Sequence, residues 1–252
     1  HVGNPFEHGQ SRLCGCDVAK ITPARLRMRS PISSSARAMT AARENMMVLN
    51  IERMRKVTPR AERWFAQAGE TRERGRCAIG LVDALMYLGR HREAVAVAAR
   101  GRRLLLSVRD HGSLARLANN EGNLYHRRDL PDLAMERYLD ARRFFRRAHD
   151  ERSAAMVETN IANCMSLLGR LAEARPLYDH AVVALSEHGL PLISLDASYN
   201  RAYLEFLEYR YEPALDAMDR VSRAGTEQGY PSIVALCSLD RARATHLRGV
   251  RP

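Results

Sequence analysis

Lysine is almost missing from this chain: Lys20 and Lys56 are the only two among forty basic residues, and the rest are arginines. Aromatic residues make up only 6%, so no large aromatic core is available, and the apolar content is mainly Ala and Leu, as packed helix pairs require. No run of eighteen apolar residues occurs, so no membrane-spanning helix and no membrane partner are expected. The five cysteines, Cys14, Cys16, Cys77, Cys164 and Cys237, are odd in number and widely scattered. That argues against a disulfide framework and for a reduced, cytoplasmic protein. There is no Gly-rich phosphate loop, no His-Glu-x-x-His helix and no serine in a nucleophile elbow. The histidines are spread over different segments, and His8, Cys14 and Cys16 lack a second ligand pair at metal spacing. Neither an active site nor a cofactor, metal or small-molecule substrate is therefore expected in these residues.

The formal net charge of +11 invites a nucleic-acid reading, but its distribution argues against one. Residues 1–74 carry 14 basic and 7 acidic groups, whereas residues 75–252 carry 26 and 22, which leaves the longer part nearly balanced. No basic stripe with interleaved aromatics appears, and such a stripe is what a nucleic-acid strand needs for phosphate contacts and stacking. The pairs Arg102–Arg103, Arg127–Arg128, Arg142–Arg143 and Arg146–Arg147 read as solvated faces.

What the chain does have is a repeat. Val82, Gly122, Ala162, Ala202 and Ala242 stand forty residues apart. Twelve positions later come Ala94, Ala134, Ala174 and Ala214, and seven beyond those Gly101, Ala141, Ala181 and Val221. Eleven of these thirteen are Gly or Ala, although the two types make up 50 of 252 residues, about a fifth of the chain. Two helices approach closely only where side chains are small, so the columns mark crossings within and between units. Larger fillers lie between them: Leu85, Tyr125 and Met165 on the first helix, Tyr138, Tyr178 and Met218 on the second. Gly89, Gly169 and Gly249 fall where a first helix should stop, and Gly189 and Gly229, with His149 in the same column, where a second one should. The expectation is an all-α, right-handed superhelical solenoid of antiparallel helix pairs, each unit burying its apolar face on its neighbours.

The run LANNEGNLYHRRDLPDLAMERYLDA, residues 117–141, resembles the tetratricopeptide (TPR) repeat, with Gly122, Tyr125, Ala134, Tyr138 and Ala141 at its signature spacing. The following copy, TNIANCMSLLGRLAEARPLYDHA, matches likewise. At forty residues rather than thirty-four the unit resembles the long-helix subtype found in kinesin light chains, MalT-like bacterial regulators and the arrays ahead of CHAT protease domains. VETNIANCMSLLGRLAEA, ASYNRAYLEFLEYRYEPAL and SIVALCSLDRA are most similar to the CHAT-associated arrays. The resemblance covers residues 75–252, as units 75–114, 115–154, 155–194, 195–234 and a truncated 235–252. In the fourth unit Glu205 occupies the column of Tyr125, which predicts looser packing there.

Residues 1–40, rich in Gly, Pro and Ser with few acids, read as disordered or poorly ordered. Residues 41–74 read as a degenerate N-terminal repeat or cap, in which Pro59 should interrupt the second helix. The missing initiator Met and the apolar Leu236, Leu239 and Leu247 beside the end predict a piece of a longer bacterial protein.

The resemblance implies a protein-interaction scaffold that binds a partner peptide or protein in a concave groove lined by the first helices. Its geometry assigns to that groove Arg116, Asn119, Asn123 and His126; Met156, Thr159, Asn163 and Ser166; Asp196, Tyr199, Tyr203 and Phe206; and Leu236, Leu239, Arg243 and His246. Asn123 and Asn163 offer both a donor and an acceptor to an extended peptide backbone. Tyr199, Tyr203 and Phe206 offer an apolar anchor. The same residues can equally be structural: the family uses Asn at the column of Asn120, Asn160 and Asn200 to tie units together, and the aromatic run can belong to the core. The alternative implied by the resemblance is the regulatory arm of a CHAT-type caspase-like protease or of a MalT-like transcription regulator, with the effector domain outside this sequence.

Overall fold

From Thr71 onward a new helix begins every twenty residues, and this spacing organises the molecule. The computed structural model describes residues 34–250, which form ten helices and no strand among the described residues. They are α1 (Ser34–Gln67), α2 (Thr71–Tyr87), α3 (His91–Ser107), α4 (His111–His126), α5 (Pro131–Arg147), α6 (Glu151–Leu167), α7 (Leu171–Glu187), α8 (Pro191–Leu207), α9 (Tyr211–Glu227) and α10 (Pro231–Val250). The chain divides into two compact units, His1–Ser113 and Leu114–Pro252, with the division inside α4. In the first, α2 packs on α1 and α3; in the second, each helix from α5 to α10 packs on the next.

The spacing comes from one joint used nine times. At residues 69, 89, 109, 129, 149, 169, 189, 209 and 229 the backbone turns to positive φ, between 52° and 76°. The residue after each donates its N–H to a carbonyl five positions back: Arg90 to Leu85 at 2.9 Å, Asp150 to Phe145 at 3.0 Å, Arg170 to Met165 at 2.8 Å. This is the Schellman closure, which satisfies carbonyls that the helix end would leave bare. Five joints use Gly, which adopts this backbone without a Cβ clash, and the other four use Arg109, Asp129, His149 and Tyr209. Gly249, expected to end a helix in the same way, lies inside α10, which runs on to Val250.

The small columns form the helix contacts. Ala94, Ala134, Ala174 and Ala214 are each fully buried, as are Ala141, Ala162 and Ala181. Gly122 has a stricter reason: a Cβ there would run into the ring of Tyr138. Ala242, in the column of Ala162, is exposed, since no helix follows α10 among the described residues. In the second unit the core gathers Tyr138, Phe145, Val157, Ile161 and Cys164 around α5 and α6, and Tyr178 with Leu204 around α7 and α8. Burying a side chain of this size contributes about 1.5–3 kcal/mol, spread along the stack.

Two expectations for the N-terminal part change. Residues 34–40 belong to α1, while residues 1–33 lie outside the described residues, and with them His8, Cys14 and Cys16. Pro59, expected to interrupt a second helix, lies inside one helix that runs to Gln67. Pro59 is exposed, so the carbonyl its ring deprives of a partner can turn to water, and the Thr58 hydroxyl donates to the Met54 carbonyl at 2.7 Å.

Candidate functional site

The first helices α4, α6, α8 and α10 carry the residues expected to line a groove, and the second unit places most of them in contacts rather than at the surface. Asn123 and Asn163 are buried. Tyr138 donates its phenolic O–H to Asn123 Oδ1 at 2.8 Å, and Tyr178 donates to Asn163 Oδ1 at 2.5 Å. The expectation that these amides face a peptide backbone is therefore corrected. A tyrosine from the second helix of the same pair reaches across and engages the carbonyl, because a buried phenol needs an acceptor. The fifteen-residue spacing of Asn and Tyr, present twice, was the sequence signal for this pair.

Thr159 is fully buried and its hydroxyl has no hydrogen-bond partner among the described residues. Ser166, also buried, donates back to the Ala162 carbonyl at 2.8 Å. Neither is a groove contact. Asn119 is half-buried and accepts from Asn160 Nδ2 at 3.3 Å, while Asn200 Nδ2 donates to Asn163 Oδ1 at 3.2 Å. These amides tie successive first helices together. His126 and Met156 are half-buried, Arg116 is exposed and Asp196 is buried.

The face opens toward α10. Tyr199 and Tyr203 are buried, but Phe206, stacked on Tyr203 at 5.2 Å between ring centroids, is half-buried. Tyr199 donates to the buried carboxylate of Asp240, and Arg243 closes the other oxygen at 2.9 Å. Burial first, and then the Asp240 charge, hold the Tyr199 phenol well above its ordinary pKa, so it remains a donor. Beside this pair Arg243 and Leu236 are half-buried, Leu239 is 44% exposed and His246 is exposed. Of the expected groove residues, Phe206, Leu239 and Arg243 thus form a surface, with Tyr199 and Tyr203 behind them.

A second feature lies on the neighbouring face of α8. Glu205, expected to loosen its unit, is buried and takes hydrogen bonds from Arg175 and Arg201, at 2.5 and 2.8 Å, and from Arg210. Burial alone would raise its pKa, but the three guanidiniums overcome that and hold it at about 2. Arg175 also reaches Glu208 at 2.5 Å, so α7, α8 and the start of α9 share one ionic knot. Next to it a cleft of about 760 Å³ runs between α7 and α9, floored by α8 at Leu195, Ser198 and Ala202. Arg142 and Arg146, expected as solvated residues, direct their heads to buried Glu158 at 3.5 and 2.8 Å.

Among the described residues no cluster of three or more His, Cys, Asp or Glu could hold a metal, and no helix is long and apolar enough to cross a membrane. No family model and no curated protein matches the chain. Solved structures do. A Rap protein complexed with Competence and Sporulation Factor is 16% identical with a TM-score of 0.60, over 80% of this chain and 55% of that one. BtubC (BKLC) from P. vanneervenii is 15% identical with a TM-score of 0.59, over 82% of this chain and 93% of that one. The chain thus spans about half the length of the Rap protein. At this identity the likeness concerns the fold, which is a TPR-like, all-α helical repeat.

Proposed function

We propose that this chain is a protein-interaction scaffold that receives a partner on the first-helix face of α8 and α10. The observation that supports this is the aromatic stack of Tyr199, Tyr203 and Phe206, which surfaces beside exposed Leu239 and half-buried Arg243. An apolar anchor backed by packed rings, with a charge at its edge, is how a few residues come to dominate binding. A Rap protein of the same fold, seen in complex with Competence and Sporulation Factor, is a precedent for a bound factor on such a scaffold. The amides Asn119, Asn123 and Asn163, with Thr159 and Ser166, pack the preceding first helices α4 and α6, and Asn163 ties α6 to α8 through Asn200. The chain works in the bacterial cytoplasm without cofactor or catalysis of its own, which suits its free thiols Cys77, Cys164 and Cys237.

The twenty-residue helix spacing favours a finer reading as well, that of the long-helix array of a CHAT-type protease or MalT-like regulator. On it, partner capture would control an effector domain elsewhere in the protein.

The test is capture of partners by the full chain from lysate of its source, read by mass spectrometry, beside Leu239→Asp and Arg243→Glu. A partner retained by the parent chain and lost by both variants, with helicity unchanged by circular dichroism, is the expected result. Equal capture by all three removes this face from the function.

A further inference from the structure

The α7–α9 cleft is open because particular side chains are short. Forty residues earlier the same space between α5 and α7 contains Arg142, Arg146 and Glu158, with Leu177 on the later helix. Their counterparts in the open cleft are Val182, Ser186, Ser198 and Ala217. The backbone register is the same, so the difference lies in the sequence and not in the spacing of the helices.

The filled clefts also show what the open one lacks. Between α1 and α3, Arg100 crosses the cleft to Glu62, with two hydrogen bonds of 3.0 and 2.9 Å. Between α5 and α7, His180, at the position of Arg100 on its helix, meets Glu158 at 2.6 Å. The residue at this position on α9 is Arg220, which lines the open cleft. The positions that would supply its acid are Val182 and Ser198, and Arg220 makes no ion pair among the described residues. The basic side chain of this position is present and its acid is absent. Around Arg220 the walls are apolar: Val183 is 56% exposed, with Val182, Val221 and Ala224 beside it. Asp179, also on the lining, is engaged by Arg201 at 2.7 Å, and Asp216 lies one turn before Arg220 on α9. Of the two arginines on the lining, Arg201 is already engaged by Asp179 and Glu205, which leaves Arg220 as the cation that an incoming carboxylate can meet.

We infer that the α7–α9 trough is a second docking site, on a face apart from the proposed first-helix surface. Its occupant is a segment of a partner protein that carries an Asp or Glu within one helical turn of Leu, Ile, Val or Met. The carboxylate completes the ion pair with Arg220, and the apolar side chain covers exposed Val183 and half-buried Val182. Charge complementarity selects the segment, and the apolar contact holds it.

The test is selection of phage-displayed random peptides of about 16 residues, roughly the length of α9, on the full chain, with counter-selection on Arg220→Glu. Enriched peptides should pair an acid with an apolar residue within one turn. Their affinity, read by fluorescence anisotropy, should fall about tenfold or more in Arg220→Glu and in Val183→Asp, both at exposed positions, and stay unchanged in Leu239→Asp. Replacing the peptide's acid by Lys should restore binding to Arg220→Glu. Failure to enrich any peptide, or binders indifferent to Arg220→Glu, overturns the site. Binders lost in Leu239→Asp and kept in Arg220→Glu would do the same while supporting the first-helix face.

Discussion

The surroundings of α6 and of α8 occupy equivalent places in the repeat and use different chemistry. At α6 the buried carboxylate is Glu158, met by Arg142 and Arg146 from the preceding helix and His180 from the following one. At α8 it is Glu205, seven positions further along its helix, met by Arg175, Arg201 and Arg210. Asn163 and Tyr178 join α6 to α7 by a hydrogen bond, whereas the same positions on α8 and α9 are Tyr203 and Met218, which offer neither the amide nor the phenol of that bond. Changes come in matched sets. Where α3 has Leu105, α2 offers Gly75; where α9 has Gly225, the space is taken by Leu195, Ile233 and Val234. The small columns and the joints hold the backbone, and within that frame each contact is free to change provided its partner changes too.

The ionic knots give the largest way to break this comparison. Glu205→Gln leaves three guanidiniums without their shared anion and should destabilise the chain by about 2–4 kcal/mol. Glu158→Gln should cost about half as much, because Arg146 and His180 are more than half exposed and water can serve them. Urea unfolding followed by circular dichroism checks both; equal losses would mean that the knot at α8 has no special weight. The pH dependence has a fixed sign. The folded pKa of Glu205, about 2, lies below its ordinary value. Its contribution is therefore complete above the ordinary carboxylate range and lost as pH falls from about 4.5 toward 2. Glu205→Gln should flatten the stability profile in that window, and a profile equally steep in the variant would be against it.

Next in size is the amide–phenol pair. Asn163→Ala strands a buried Tyr178 O–H and should lower stability by about 1–3 kcal/mol. Transplanting the α8–α9 solution, Asn163→Tyr with Tyr178→Met, should recover at least about 1 kcal/mol over the sum of the single changes. A double-mutant cycle reads the coupling directly. Additive losses would show that the two sites do not compensate as a pair.

Much of the frame was legible in the sequence because it rests on steric rules that are local. A small residue every forty positions has one cheap explanation, close helix approach, and Ala94, Ala134, Ala174 and Ala214 are fully buried as that requires. Gly89, Gly169, Gly189 and Gly229 marked the joints, but Arg109, Asp129 and Tyr209 did not, since nothing in those side chains announces positive φ. The face was less legible. Whether Asn123 meets solvent or a phenol depends on how far Tyr138 reaches from another helix, and periodicity along one helix does not contain that distance. Glu205 was misread for a related reason: Arg201 stands one turn before it on α8, but Arg175 reaches it from α7 and Arg210 from the joint before α9. Pro59 misled because a proline weakens a helix without always ending it, and at an exposed position on α1 water can serve the carbonyl it leaves unpaired.

The joints supply the smallest and sharpest comparison. His149 and Gly169 occupy successive joints, at φ 56° and 74°, and both are exposed. A side chain at positive φ crowds the following carbonyl, and the penalty is about 1–2 kcal/mol per residue. Glycine escapes it but gives back part through the greater freedom of the unfolded chain. His149→Gly should therefore stabilise by about 0.5–1 kcal/mol, and Gly169→Ala should destabilise by about 1 kcal/mol, although neither touches the core. Shifts of opposite sign in the urea midpoint, with unchanged slope, would establish that one joint geometry is imposed at both sites. A His149→Gly variant no more stable than its parent would mean that the histidine makes up its backbone cost through contacts of its own.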